Sequence, residues 1–90
     1  MRIAFRVHGD VQGVGFRRFA AREAQDLGLA GWVRNDPDGT VHGEAEGSEA
    51  PLMAFRARLA QGPDYGHVSR LDWEVSDVRS SLPLSFEIHR

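Results

Sequence analysis

Apolar and polar residues alternate from Arg2 to His8, a pattern that predicts a half-buried β-strand. A loop with three glycines, residues 9–15, follows this strand. Apolar residues then recur at helical spacing with charged residues on the opposite face, which predicts an amphipathic helix that ends at Gly28. The apolar positions of that helix are Phe16, Phe19, Ala20, Ala24 and Leu27. The chain therefore begins with a strand, a loop and a helix.

A β-hairpin is predicted next. Residues 30–35 and 40–46 have the composition of two strands. The turn between them is Asp36-Pro37-Asp38-Gly39, where proline fixes one φ angle and the Asp-Gly pair favours a tight reversal. The two strands are therefore expected to pair with each other.

The rest of the chain predicts a second helix and two further strands. We expect Ser48 to cap the helix and Gly62-Pro63 to end it. Alternation predicts a strand over residues 68–78 and, after a turn at 80–83, a short strand over 84–88. The buried stripe of the helix is expected to consist of Leu52, Phe55 and Leu59.

This order of elements, βαββαβ with a short extra C-terminal strand, is that of the ferredoxin-like α+β sandwich. We expect an antiparallel sheet with two helices on one face and water on the other. A chain of 90 residues suits a single domain over residues 1–90 with one thin core. Because this fold serves many activities, the activity has to be argued from particular residues.

Composition narrows the possible functions. No apolar run approaches the roughly 20 residues that span a bilayer. The strand pattern begins at Arg2, so we expect no secretory signal and a cytoplasmic protein. Without cysteine, disulfides and thiolate catalysis are excluded. A net charge of −2 argues against a basic nucleic-acid binder.

The glycine loop is a candidate anion site. Glycines allow successive backbone amides to turn inward, and such a nest binds anions. The start of the following helix adds unpaired N–H groups and the positive end of its dipole. Arg17 lies in that first turn and can make two parallel bonds to a phosphate. The candidate amide donors belong to Asp10, Val11, Gln12, Gly13, Val14, Gly15 and Phe16. The alternative is a plain connector followed by an exposed arginine, because a lone glycine-rich loop is a weak signal.

Asn35, the only asparagine, is the second candidate, at the end of the second strand. The alternative is a turn residue that bonds its own backbone. The histidines, at positions 8, 42, 67 and 89, form no close pair in the sequence, so we expect no metal site. Trp32 is expected beside the candidate site and half exposed.

Two blocks of the sequence resemble the acylphosphatase signature. The first runs from Val7 to Arg17, and the second covers residues 27–35 with Asp38-Gly39-Thr40-Val41 after it. The resemblance covers essentially the whole chain and implies the ferredoxin-like fold. It also implies that Arg17 binds the substrate phosphate, that Asn35 orients the nucleophilic water, and that the loop cradles the phosphate with its amides.

The resemblance further implies a small acyl phosphate as the substrate, with no cofactor or metal and no nucleic-acid or membrane partner. We expect a monomer in which inorganic phosphate or sulfate competes with the substrate. One position departs from the pattern, since many members carry threonine where this chain has Asp36. A carboxylate there would repel phosphate if it pointed inward, so we expect it to face the turn.

Three other functions stay open at this point: an RNA-binding module, a non-catalytic ligand-binding domain, and the acylphosphatase-like segment of a larger hydrogenase-maturation carbamoyltransferase. The predicted central strand, Thr40-Val41-His42-Gly43-Glu44, lacks the exposed aromatic residues of RNA-recognition motifs. The length and end of the chain favour a stand-alone enzyme over the larger protein.

Overall fold

The computed structural model describes every residue from Met1 to Arg90 and contains two helices and five strands. Their order confirms the predicted βαββαβ pattern with a short strand after it. The strands are β1 (Arg2–Asp10), β2 (Ala30–Asn35), β3 (Val41–Glu46), β4 (His67–Val75) and β5 (Glu87–Ile88). The helices are α1 (Phe16–Asp26) and α2 (Glu49–Gln61).

The strands form one sheet in the order β4-β1-β3-β2-β5. Strand β3 pairs antiparallel with both β1 and β2, and β1 pairs antiparallel with β4. Val41 of β3 is opposite Val7 on one side and Asn35 on the other, which fixes the register of the central strands. The pairing of β5 with β2 is parallel, so the sheet is mixed rather than wholly antiparallel as expected.

Both helices cover one face of the sheet, as predicted. Alternate residues of β1 and β3 point toward the helices and are buried. Phe55 of α2 lies at the centre of this core, with its ring centroid 5.6 Å from that of Phe5 and 5.8 Å from that of Phe86. The predicted stripe of α2 is confirmed, because Leu52, Phe55 and Leu59 are all fully buried. Neither helix is long and apolar enough to cross a bilayer.

The other face of the sheet is polar. Arg6 of β1 and His42 of β3 lie side by side on it in register. His8 bonds Asp72 of the neighbouring strand at 2.9 Å. Because the side chains of a strand alternate between the two faces, these polar side chains lie away from the core.

The predicted strand at 68–78 is shorter than expected. Strand β4 begins at His67 and ends at Val75, and the chain beyond it is bonded to Arg2. The backbone N–H of Ser76 donates to the Arg2 carbonyl at 2.8 Å, and the Arg2 guanidinium donates to the Val78 carbonyl at 3.1 Å.

Two local expectations also need correction. The last strand begins at Glu87 rather than at residue 84, and Leu84 is 92% exposed instead of facing the core. Ser48 is the residue before α2, as predicted, but its side chain makes no capping hydrogen bond.

Candidate active site

The topology brings the two predicted site regions together. Because β1 and β2 both run antiparallel to β3, they run in the same direction, and their carboxyl ends lie at the same edge of the sheet. The glycine loop leaves the end of β1, and Asn35 is the last residue of β2. The parallel strand β5 brings the C-terminal residues to this edge as well.

A cleft of about 560 Å³ lies between these elements. Arg17 and Asn35 both line the cleft, together with Arg18 and the C-terminal Arg90. No aspartate or glutamate side chain lines it. The cleft therefore has a positive lining in a chain whose net charge is −2. The remaining lining residues are Val11, Gly13, Gly15, Phe16 and Ile88.

The loop is built to leave its amides free. Gly13 and Gly15 both have φ near 77°, a left-handed conformation that costs glycine little and other residues more. Gly15 is the N-cap of α1 and has no side chain to satisfy the first amides of the helix. The amides of residues 12–18 make no well-formed hydrogen bond to a backbone carbonyl, and the first such bond runs from Phe19 N–H to Gly15. A row of free amides at a helix start is suited to an anion.

Not every predicted loop residue faces the cleft. Asp10 is the last residue of β1 and pairs with His67. Val14 is half-buried against the hydrophobic core. Gln12 does not line the cleft, and its side chain reaches the turn after β2. The cleft wall is formed by Val11, Gly13, Gly15 and Phe16.

Arg17 has most of its donors available. It lies in the first turn of α1 and is half-buried. One guanidinium nitrogen, Nη1, donates to the carbonyl of His89 at 3.2 Å, which holds the side chain beside the cleft. No carboxylate pairs with Arg17, although Arg6, Arg34 and Arg58 all have acidic partners. Its charge is therefore not neutralised by the protein.

The hydrogen bonds of Asn35 differ from those of a turn residue. Its Oδ1 atom is buried and has no hydrogen-bond partner. The side chain that stabilises the turn is that of Asp38, whose Oδ1 accepts from the Thr40 N–H at 3.0 Å and also from the Thr40 hydroxyl. Because Asp38 takes the turn role, the amide of Asn35 is available to the cleft that it lines.

The adjacent carboxylate, Asp36, does not line the cleft. Its oxygens accept hydrogen bonds from Arg6 at 2.7 Å and Arg34 at 2.9 Å, on the polar face of the sheet. The bonds from Arg6 and Arg34 lower the pKa of this carboxyl. The charge of Asp36 is therefore paired and turned away from the cleft.

Four features of the cleft and its loop were not predicted from the sequence. Arg18, Ile88 and Arg90 line the cleft, and Gln12 bridges the loop to the turn. Arg18 directly follows Arg17 in the sequence, and this position could have indicated that Arg18 lines the cleft. The C-terminal residues gave no such signal, because the parallel pairing of β5 brings them there.

Trp32 lies on the polar face and not in the cleft. Its ring stacks on that of His89, with centroids 5.5 Å apart and planes 4° from parallel. The guanidinium carbon of Arg34 lies 5.1 Å from the same ring centroid. Trp32 thus supports the C-terminal segment whose His89 carbonyl holds Arg17.

The histidines are dispersed over the fold. His42 is half-buried, and its burial lowers its pKa, so the neutral imidazole is favoured. Its Nδ1 lies 3.7 Å from Asp36. His89 contacts the exposed Glu87. No three side chains among His, Asp and Glu are grouped so that they could share a metal ion.

Comparisons with known proteins show which sequences and structures this chain resembles. A family model described as acylphosphatase matches residues 3–88. An acylphosphatase of Mesorhizobium japonicum is 49% identical over 84 residues, which cover 92% of this chain and 87% of the relative. The crystal structure of acylphosphatase from Bacillus subtilis superposes with a TM-score of 0.92 at 36% identity, and the match covers 99% of this chain and 98% of that one.

The chain is also similar to a small part of a larger protein. The crystal structure of full-length HypF contains a region that matches with a TM-score of 0.86 at 29% identity. The match covers 99% of this chain and 12% of HypF. The family match over residues 3–88 and the similarity to relatives of comparable length together show that the chain belongs to the acylphosphatase family.

Proposed function

We propose that this acylphosphatase holds the phosphate of an acyl phosphate with Arg17 and the loop amides while Asn35 orients the attacking water. One observation supports the proposal above others. A single cleft contains free backbone amides, an arginine without an acidic partner and an asparagine whose oxygen has no partner, and no acidic side chain lines it.

Phosphate is expected to sit over the start of α1. The free amides of the cleft-lining residues, Gly13 and residues 15–18, supply donors, and the helix dipole adds partial positive charge at the same point. Arg17 supplies a planar pair of donors that matches two phosphate oxygens. Donors fixed in this way also stabilise charge that develops on the equatorial oxygens during phosphoryl transfer.

Water is expected to bind between the phosphate and Asn35. The amide oxygen accepts one hydrogen of the water and so directs the water oxygen at phosphorus. In the structure, the Oδ1 atom of Asn35 points inward and is buried. Rotation of the amide about χ2, a broad two-fold torsion, brings this oxygen to the cleft surface.

The proposed reaction needs no general acid. The water oxygen forms a bond to phosphorus as the bond from phosphorus to the acyl oxygen breaks. The carboxylate leaves with the bonding electron pair, and the proton of the water passes to a phosphate oxygen of the substrate. The products are the carboxylate and inorganic phosphate.

The leaving group determines the substrate class. Carboxylic acids have pKa values of about 4, so a carboxylate leaves as a stable anion without protonation. An alkyl phosphomonoester has a much poorer leaving group and needs an acid or a metal ion. The cleft has no acidic side chain to donate such a proton, which supports acyl phosphates as the substrates. We propose that hydrolysis needs no metal, because amides and Arg17 balance the phosphate charge.

The proposal extends to the molecule in solution. We propose that the active form is a monomer. Inorganic phosphate and sulfate carry the charge and oxygens that the cradle binds, so they should compete with the substrate. A cytoplasmic location, without nucleic-acid or membrane partners, is part of the same proposal.

Phosphate release by the purified protein in excess chelator tests this function. We expect rapid hydrolysis of acetyl phosphate and benzoyl phosphate, and almost none of methyl phosphate. Similar kcat/KM values for the two classes would show that the leaving group does not determine selectivity. Activity that requires added Mg²⁺ or Zn²⁺ would refute metal independence.

A further inference from the structure

Gln12 lies in the middle of the glycine loop, and its side chain turns away from the cleft. Its Nε2 donates to the carbonyl of Asp36 at 2.7 Å and to the carbonyl of Thr40 at 2.9 Å. Both acceptors are backbone oxygens, so the donor end of the amide has to face them. One side chain of the loop therefore bridges two points of the β2–β3 turn.

The two carbonyls are the ones that frame this turn. The Asp36 N–H donates to the Thr40 carbonyl at 2.9 Å, and the Gly39 N–H donates to the Asp36 carbonyl at 3.1 Å. Asn35 immediately precedes Asp36. A group bonded to both carbonyls therefore controls where the end of β2 lies.

No backbone hydrogen bond performs this task. Residues 12–15 make no backbone hydrogen bond to β2 or β3. The amide of Gln12 is their polar link to the turn. The same loop carries the free amides of the cleft, so the link joins the phosphate cradle to the strand end that carries Asn35.

We infer that Gln12 is a positioning residue that couples the phosphate cradle to Asn35. This inference rests on the proposed function, because in it Gln12 fixes the distance between the bound phosphate and the water that Asn35 orients. Gln12 need not touch the substrate. Without the Gln12 side chain, the phosphate cradle and Asn35 are both still present, but the distance between them can vary. Misplacement by about 1 Å can cost about 100-fold in rate.

Gln12→Met removes the two donors and keeps the length of the side chain. We expect kcat per folded molecule to fall about 10-fold to 100-fold, and the inhibition constant of inorganic phosphate to stay within about threefold. Gln12→Glu also lacks the donors and sets a negative charge against two carbonyls, so it should lose at least as much turnover. Gln61→Met, at the exposed end of α2, is the matched control and should keep wild-type kcat.

A double variant separates positioning from general destabilisation. If Gln12 acts through Asn35, Gln12→Met should lower kcat no further in a chain that already carries Asn35→Ala. Melting temperatures of all variants confirm that folded molecules are compared.

Two results would overturn the inference alone. These are wild-type kcat in Gln12→Met, or a fall in the double variant equal to the product of the two single losses. Wild-type kcat in Asn35→Ala would instead overturn the proposed mechanism and the role of Gln12 together.

Discussion

Asn35 and Asp36 are neighbours in sequence, yet their side chains serve opposite faces of the sheet. Asn35 lines the cleft, whereas Asp36 is bonded to Arg6 and Arg34 on the polar face. This arrangement follows from the alternation of side chains along a strand. It allows an acidic residue to follow Asn35 without placing its charge in the cleft.

The pairing of Asp36 makes stability depend on pH. Arg6 and Arg34 hold its pKa below the ordinary value of 3.8 in the folded chain. The stabilisation is therefore present above pH 3.8 and is lost as the pH falls through the lowered pKa. Asp36→Asn should flatten the loss of stability in acid.

Urea unfolding between pH 2 and pH 6 measures this effect. The flattening should be partial, because hydrogen bonds also lower the pKa values of Asp38 and Asp72. Asp64→Asn, at an exposed position without an ion pair, is the control and should leave the pH dependence unchanged. An unchanged acid profile in Asp36→Asn would contradict the assigned ion pairs.

Some single-residue features were accessible from sequence and others were not. Arg17 and Asn35 stand in recognisable blocks, and the structure brings both to one cleft. The bond from Gln12 to the turn depends on the spacing of two distant segments and on the reach of one side chain. No local pattern specifies such a contact, so sequence reasoning missed it.

Helix α2 shows how one element contributes to stability. Phe55 is fully buried and packs against Phe5, Phe86 and Trp73. Phe55→Ala should lower the free energy of unfolding by about 3–5 kcal/mol, because it removes apolar contacts and leaves a cavity. Met53 on the same helix is 41% exposed, and Met53→Ala should change stability by less than about 0.5 kcal/mol.

Chemical denaturation of both variants checks this prediction. Equal losses in Phe55→Ala and Met53→Ala would show that the core is not centred on Phe55. A large loss of kcat per folded molecule in Phe55→Ala would show that the core residue also affects the cleft.

Elements with a clear apolar period were predicted well, and the terminal segments less well. The apolar residues of β1 and α1 recur over enough positions to reveal their period. The chain beyond β4 is bonded to Arg2, which lies more than 70 positions earlier in the chain and bonds the Val78 carbonyl. Strand β5 has only two residues, and its parallel partner is β2. Neither feature has a local sequence signal.

The chain as a whole combines a net charge of −2 with a cleft whose charged lining side chains are all arginines. Inorganic phosphate should therefore bind the folded protein and raise its melting temperature. At a phosphate concentration of 100 Kd the expected stabilisation is about 2.7 kcal/mol.

Replacing Arg17 should reduce this stabilisation. Arg17→Lys keeps the charge but loses the planar pair of donors, so its melting temperature should respond much less to phosphate. Arg22→Lys, on the exposed side of α1, is the matched control and should respond as the wild type does. Equal responses in all three proteins would place the phosphate elsewhere.

The role of Asn35 is tested most directly by the turnover of Asn35→Ala per folded molecule. We predict that kcat falls about 100-fold or more, because the water loses its orientation, while the inhibition constant of phosphate stays within about threefold. Asn35→Asp should lose activity too and should also weaken phosphate binding through charge repulsion. A near-normal kcat in an Asn35→Ala protein of lowered melting temperature would contradict the mechanism and make Asn35 a turn residue.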